Sequence, residues 1–458
     1  MHTPPLAGGT AGPAALRTLL DTVLDALHDG ATARGGPLPA GGPPAVAARV
    51  RAATGTVFPD KGTGDEEALR TVVRLFAEGA ADPADPLCAA HLHCPPLAVA
   101  TAADLAASAL NPSLDSWDQA PAASALEALV TGALAALVHP GTDSADALVT
   151  TGGTEANQLA LLLARERHGG ALTVLCGENA HHSIRRAAWL LGLPEPVTVP
   201  APAGTVDLAA LDNALTDLPG PRLVTATAGT TDAGLIDPLA DIAALCRTHG
   251  AELHIDAAYG GGLLFSDTHR SKLLGLDRAH SVTLDLHKLG WQPIAAGLLA
   301  VPDATLLGPL AHRADYLNPD DDTEAGLPDL LGRSLRTTRR PDILKVAVTL
   351  RALGRTGLAA LVDSVCAAAQ RLADLVEAHP GLELHGRPVI STVLFRPTGA
   401  TDDTVAALRR TLLTSGHAVL GRAHADGRLW LKATLLNPHA TTGDLQEIVE
   451  LLEGSSIR

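Results

Sequence analysis

The chain has 458 residues, 46% of them hydrophobic and 18% charged, with a formal net charge of −16. That length supports two or three packed layers around a sizeable core, and with only 2% aromatic residues the core must rest on Ala, Leu and Val. The acidic balance argues against nucleic acid or an anionic membrane as partner, because both need clustered Lys and Arg.

In chain order, an amphipathic helix is expected over 14–29, then a Gly/Pro-rich connector around 34–44. A second helix is expected over 64–80, where Asp65, Glu66 and Glu67 suit the positive end of its dipole. Helices over 101–110 and 122–138 follow. From 146 to 301 the pattern changes. Short apolar runs at 147–151, 172–176, 223–228, 253–257, 282–286 and 297–301 alternate with helical stretches such as 155–168, 183–191 and 238–248. Such alternation predicts a mostly parallel sheet covered on both faces, with ligands at the carboxyl ends of its strands. The remainder reads as a smaller α+β domain, with helices over 343–353 and 358–378 and strands over 391–396 and 428–434. No apolar run reaches ~18 residues, so no membrane span is expected. The start, Met1-His2-Thr3-Pro4-Pro5, lacks the pattern of a signal peptide, and five scattered cysteines suit a reducing cytoplasm.

Four motifs in the alternating region carry chemistry. Gly152-Gly153-Thr154 stands at a strand-to-helix junction, where backbone N–H groups and a hydroxyl can cradle a phosphate. An ordinary Thr N-cap has the same look. His181-His182 follows the second run and opens a helix; an imidazole there can stack on an aromatic ligand. A metal site is the other reading of this pair, and of His91-Leu92-His93-Cys94, but neither has further ligands at suitable spacing, so no metal is expected. Asp256 ends a buried run and is followed by Ala257, Ala258 and, after Tyr259, Gly260, Gly261 and Gly262, small residues that let a flat ligand approach. A carboxylate there can keep a pyridine nitrogen protonated; it can equally cap a turn. His287-Lys288 closes the run at 281–288 (SVTLDLHK) and sets an amine at the sheet edge. Such an amine can condense with an aldehyde or simply be solvated. Lysine occurs only at 61, 272, 288, 345 and 432.

Together, in this order on one sheet, the motifs resemble the group II pyridoxal-dependent decarboxylases, of the aspartate aminotransferase fold type I. The matching stretches are 151–157, 180–183, 228–238 (AGTTDAGLIDP), 254–262 and 285–289, continuing through 334–340 (SLRTTRR) and 435–438. The resemblance implies an α/β fold and pyridoxal 5′-phosphate as cofactor. It implies a helical N-terminal segment at 1–95 making dimer contacts, a large cofactor-binding α/β domain at 96–345 and a small C-terminal α+β domain at 346–458. Lys288 resembles the Schiff-base lysine, His181 the imidazole stacked on the ring, Asp256 the partner of the pyridine nitrogen and Ala258 the small residue beneath the ring. Gly153, Thr154 and His287 fall where the family binds the phosphate, and Thr231 where it contacts the bound ligand. The implied catalytic residues are Lys288, His181 and Asp256.

Within the family, AHLHCPPL at 90–97 and LNPSLDSWDQAPAASALE at 110–127 look like the branch that decarboxylates 2,4-diaminobutyrate or lysine. ADYLNP at 314–319 and the acidic stretch after it point the same way. The expected activity is decarboxylation of a cationic aliphatic L-amino acid (2,4-diaminobutyrate, ornithine or lysine) to CO2 and an amine. The expected assembly is a cytoplasmic homodimer with shared active sites. Four departures stand out. Well-known relatives carry a tyrosine in the loop before the TTRR region, whereas 320–331 (DDDTEAGLPDLL) has none. Arg186 and Pro341 stand where Lys and an aromatic residue are usual, and Asp285 where some members have Asn. The missing tyrosine leaves other reactions on the same scaffold open: decarboxylation-dependent oxidative deamination, aldol-type chemistry or elimination, as well as glutamate or aromatic amino-acid decarboxylation.

Overall fold

The computed structural model describes residues 4–311, 314, 317 and 319–455. The chain forms two compact units, one of Pro96–Cys366 with Pro388–Ile390 and one of Met1–Pro95, Ala367–Arg387 and Ser391–Arg458.

The first unit is built on a seven-stranded sheet. Its strands are β1 (Asp146–Thr150), β2 (Thr173–Gly177), β3 (Val197–Val199), β4 (Arg222–Thr227), β5 (Glu252–Ala257), β6 (Ser281–Asp285) and β7 (Gly297–Val301). Their order is β1-β7-β6-β5-β4-β2-β3. The run β3-β2-β4-β5-β6 is parallel, while β7 is antiparallel to both its neighbours, β6 and β1. This is the mostly parallel sheet that the alternating pattern predicts. Central strands are buried along their length, which is why they read as continuous apolar runs rather than alternations. Helix Gly153–Arg167 packs Ala156, Leu159, Ala160 and Leu163 against Leu148 of β1 and Leu299 of β7.

The second unit has a four-stranded antiparallel sheet, order β10-β11-β9-β8, from β8 (Leu382–Leu384), β9 (Thr392–Pro397), β10 (Gly421–Ala425) and β11 (Arg428–Thr434). Its core joins Val393, Phe395 and Leu431 to Leu372 and Val376, to Leu408 and Leu412 of helix Asp402–Ser415, and to Leu445 and Ile448 of helix Thr442–Ser455. The N-terminal segment belongs to this unit rather than standing apart as its own. Ala89 donates to the Val419 carbonyl and accepts from the Thr434 N–H, so the chain at 88–89 is sewn to the edge of the C-terminal sheet.

Most of the expected elements lie within a few residues of their predicted ends. The connector around 34–44 is cut short by a helix, Gly42–Thr54. Its Pro43 and Pro44 lie in the first turn, where a missing N–H costs no hydrogen bond. The two expected helices, 343–353 and 358–378, follow one another within Ile343–Ala378 and are divided at Gly354, whose φ of 61° is not helical. Among the described residues, two helices, Pro121–Val138 and Ile343–Ala378, are long and apolar enough on length and composition alone to cross a membrane. The first turns Glu127, Thr131, Leu134 and Val138 into the fold, and its Glu127 carboxylate takes both Nη groups of the buried Arg339 at 2.9 Å. The second supplies Leu372 and Val376 to the core described above.

Candidate active site

The four motifs of the alternating region lie at one edge of the large sheet, where β1, β2, β4, β5 and β6 end. β7 runs the other way, so its first residue, Gly297, reaches the same edge. A Cβ on Gly297 would stand 2.4 Å from Gly152 Cα, so only glycine lets these two backbones meet.

After β1 the chain turns through Gly152 (φ 154°) into helix Gly153–Arg167. A Cβ at Gly152 would lie 2.9 Å from His287 Cε1, and one at Gly153 would lie 2.9 Å from Ala258 Cβ. Two glycines therefore leave a narrow slot bounded by His287 and Ala258. The helix opens onto it with the N–H groups of its first turn, which lack intrahelical partners. Thr154 is exposed at this end, and the Thr151 N–H is taken by the Glu155 carboxylate at 2.6 Å.

Lys288 lies in the single helical turn Leu286–Leu289 directly after β6. Its Nζ is 2.9 Å from Asp285 Oδ2, and His287 Nε2 approaches the same oxygen at 3.5 Å. Asp285 is almost wholly buried, and its Oδ1 accepts no hydrogen bond from any described residue. Burial holds the His287 imidazole below its usual pKa, and its Nδ1 accepts from the Ala296 N–H at 3.3 Å.

Asp256, on β5, is held differently. Oδ2 accepts from Asn157 Nδ2 at 2.8 Å and Oδ1 from the Ala258 N–H at 3.1 Å. The Asn157 amide is the centre of a buried network. Its Nδ2 also donates to Ser183 Oγ at 2.8 Å, and its Oδ1 meets His254 Nε2 at 2.9 Å and the Thr283 hydroxyl at 2.8 Å. His254 Nδ1 lies 2.8 Å from Ser281 Oγ, and complete burial lowers the His254 pKa to about 4. His181, just before helix Ser183–Leu190, joins through Nδ1, 2.8 Å from Ser183 Oγ. Burial depresses its pKa too.

Thr231 is exposed in the loop after β4. That loop is anchored by Asp237, which accepts the Thr227 and Val206 N–H groups and Asn179 Nδ2. The structure thus joins His181 and Asp256 through Asn157, sets Lys288 and His287 at Asp285, and places Gly153 against both Ala258 and Asp285. Sequence reasoning passed over Asn157, Ser183 and His254. Their signal is polarity at positions that the helix and strand patterns assign to the buried face. In the acidic stretch, Asp321, Asp322 and Glu324 are exposed on the turn of helix Asp320–Glu324. Of the ADYLNP run, Asp315, Tyr316 and Asn318 lie outside the described residues. Among the described residues no group of three or more His, Cys, Asp or Glu is placed to hold a metal ion.

The pyridoxal-dependent decarboxylase conserved domain matches residues 51–398. The chain belongs to the pyridoxal-dependent decarboxylases. It is 43% identical over 411 residues to the L-2,4-diaminobutyrate decarboxylase of Rhizobium meliloti, covering 86% of this chain and 83% of that one. With the enzyme of the same name from Acinetobacter baumannii the identity is 33% over 426 residues, 85% and 83% of the two chains. Among solved structures it is similar to the glutamate decarboxylase domain of diaminobutyrate-pyruvate transaminase and L-2,4-diaminobutyrate decarboxylase from Vibrio parahaemolyticus. That likeness has a TM-score of 0.87 and 32% identity, with 99% of this chain and 97% of that one covered. The decarboxylase is therefore a fold type I enzyme that uses pyridoxal phosphate to decarboxylate an amino acid. The residues present fit that cofactor. The Gly152-Gly153 slot is one that a Cβ would fill, an amine stands at the sheet edge, and a buried carboxylate of β5 ends among neutral donors.

Proposed function

We propose that the substrate is L-2,4-diaminobutyrate, whose decarboxylation gives CO2 and 1,3-diaminopropane. The observation that carries this is the 43% identity to the Rhizobium meliloti enzyme across 86% of the chain. The exposed carboxylates of Asp321, Asp322 and Glu324 support it, since exposed acids draw cations and repel acidic substrates. The test is a panel of amino acids incubated with cofactor-loaded protein, read by mass spectrometry for amine and aldehyde and by parallel CO2 and peroxide assays. Diaminobutyrate should be turned over ahead of ornithine and lysine, and far ahead of glutamate or aspartate. A preference for glutamate or an aromatic amino acid would refute the substrate, and aldehyde with peroxide would refute simple decarboxylation.

Within this reading Lys288 is the covalent attachment point, and Gly153, Thr154 and His287 hold the phosphate. When bound, the cofactor supplies an electron sink for the bond to the departing carboxylate. Asp256 would hold a proton at the ring nitrogen, each of its oxygens being fixed by one hydrogen bond, from Asn157 and from the Ala258 N–H. Ala258 would lie beneath the ring, His181 would cover its other face and exclude water, and Thr231 would contact the ligand from the β4 loop. We further propose a homodimer. Supporting it are an apolar groove of about 370 Å³ lined by Ala107, Leu110, Pro112, Pro121, Leu126 and Ile343, and Leu129 of helix Pro121–Val138, 73% exposed. The cytoplasm is the proposed compartment, which the five cysteines, none of them in a disulfide, support.

A further inference from the structure

We propose that Asn157 and Ser183 are positioning residues that fix His181 as the neutral tautomer with its hydrogen on Nε2, and that the same Asn157 amide holds Asp256 in place. The functional meaning of this rests on the decarboxylase reading above; the tautomer itself follows from hydrogen-bond bookkeeping within the protein.

Asp256 decides which way the amide points. Its Oδ2 is 2.8 Å from one Asn157 terminus, and between a carboxylate oxygen and an amide oxygen there is no hydrogen to share. That terminus is the NH2, so the amide oxygen faces Thr283 and His254. Since Oδ1 only accepts, His254 donates from Nε2, and its Nδ1 accepts from the Ser281 hydroxyl. The second amide hydrogen goes to Ser183 Oγ. Ser183 is fully buried, and His181 Nδ1, 2.8 Å away, receives its remaining hydroxyl hydrogen. The Ser183 backbone N–H also points at Nδ1, at 3.3 Å, and two donors on one nitrogen leave it no hydrogen of its own. A neutral imidazole carries a single N–H, so it resides on Nε2.

The chain of donors runs one way, from Ser281 through His254, Asn157 and Ser183 to His181. It ends in a hydrogen-bond donor, Nε2–H, for which no described residue is an acceptor. A donor at that atom can hold an anionic carboxylate and cannot act as a base there. The same amide branches to Asp256, so one buried side chain sets both groups assigned to the cofactor ring.

The test uses the pyridoxal-phosphate-loaded enzyme and the cofactor-free enzyme, each labelled with [15N]histidine, without substrate. The His181 signals are assigned by their loss in His181→Gln. In the wild type, His181 should show a protonated Nε2 and a pyridine-type Nδ1. Ser183→Ala removes the hydroxyl donor, so both nitrogens should move toward the tautomer-averaged position, with pyridoxal phosphate affinity held within about threefold; Ser183→Thr should restore the wild-type pattern. Asn157→Leu should give the same spectral change and also weaken pyridoxal phosphate by at least about tenfold, the loss expected for one hydrogen bond to a charged group. A wild-type signal with the hydrogen on Nδ1 overturns the proposal, and so does an unchanged pattern in Ser183→Ala. Equal loss of cofactor affinity in both variants overturns the branching. Should Asn157→Leu not fold, Ser183→Ala alone decides the tautomer. The spectra involve no turnover, so a wrong tautomer would leave the decarboxylase reading standing. Failure to release CO2 from any amino acid would strike that reading and not the tautomer.

Discussion

Two buried carboxylates at the same sheet edge are held in opposite ways. Asp256 is surrounded by neutral donors, the Asn157 amide and the Ala258 N–H, and the nearest imidazole in the network, His254, is kept uncharged by burial. Asp285, one strand along, faces the Lys288 amine at 2.9 Å with one oxygen unmatched. Neutral hydrogen bonds fix a carboxylate while leaving its charge uncompensated, so the charge is available to a cationic ring nitrogen. An ion pair with a spare lone pair is instead an arrangement that changes once the lysine bonds to something else. The first corner is a fixed mount and the second is a latch.

The comparison can be broken most severely at the latch. Lys288→Ala should lower activity by at least about a thousandfold, a barrier rise of ~4 kcal/mol, and remove the cofactor label that borohydride fixes on the protein. Retention of a reducible adduct at Lys61, Lys272, Lys345 or Lys432 would move the attachment site. At the mount, Asp256→Ala should cost about a hundredfold in kcat, ~3 kcal/mol, with the fold intact by circular dichroism. Turnover within a few-fold of wild type would make Asp256 a turn cap.

The neutral surroundings of Asp256 carry a pH signature. The His254 pKa is about 4 in the folded chain against an ordinary 6.5, so below 6.5 the unfolded chain binds the extra proton. Stability from this residue is therefore complete above pH 6.5 and is lost as pH falls toward 4, by as much as ~3 kcal/mol in total. Burial depresses His139, His181, His280 and His287 in the same direction. Urea midpoints at pH 8 and pH 5 should thus differ, and His254→Asn should narrow the gap; an unaltered gap would mean that His254 is charged in the fold. The smallest effect is expected at Asp285. Asp285→Asn removes a negative charge beside the Gly152-Gly153 turn, so inorganic phosphate should bind the cofactor-free enzyme about threefold more tightly, under ~1 kcal/mol. Weaker phosphate binding would show that the turn is not the phosphate cradle.

Much of this was legible in the residues. Continuous apolar runs separated by helical stretches specify a parallel, doubly covered sheet. That topology alone carries the residues after β1, β2, β4, β5 and β6 to one edge, because parallel strands share a direction. Lys288, Asp256, His181 and Gly153 could be picked out because, though each motif alone has an ordinary reading, the four occur together and in order in the alternating region. The helix Gly42–Thr54 was hidden because prolines signal a break unless they fall in the first turn. The place of residues 88–89 against Val419 and Thr434 was hidden because that pairing spans more than 300 residues and leaves no local pattern.

What the sequence determined by itself is the longer strands (the short edge strands β3, β8 and β10 escaped it), the order of the motifs and the identity of the groups at the sheet edge, since local periodicity and residue chemistry are properties of short segments. What only the tertiary structure decided is the state of those groups. Asn157, Ser183, His254 and Thr283 come from one helix, a helix start and two strands, and only their packing makes one amide the hub of four hydrogen bonds. A hydrogen bond has a direction, and its direction is set by which donors and acceptors burial brings within 3 Å, which no reading of separate segments contains.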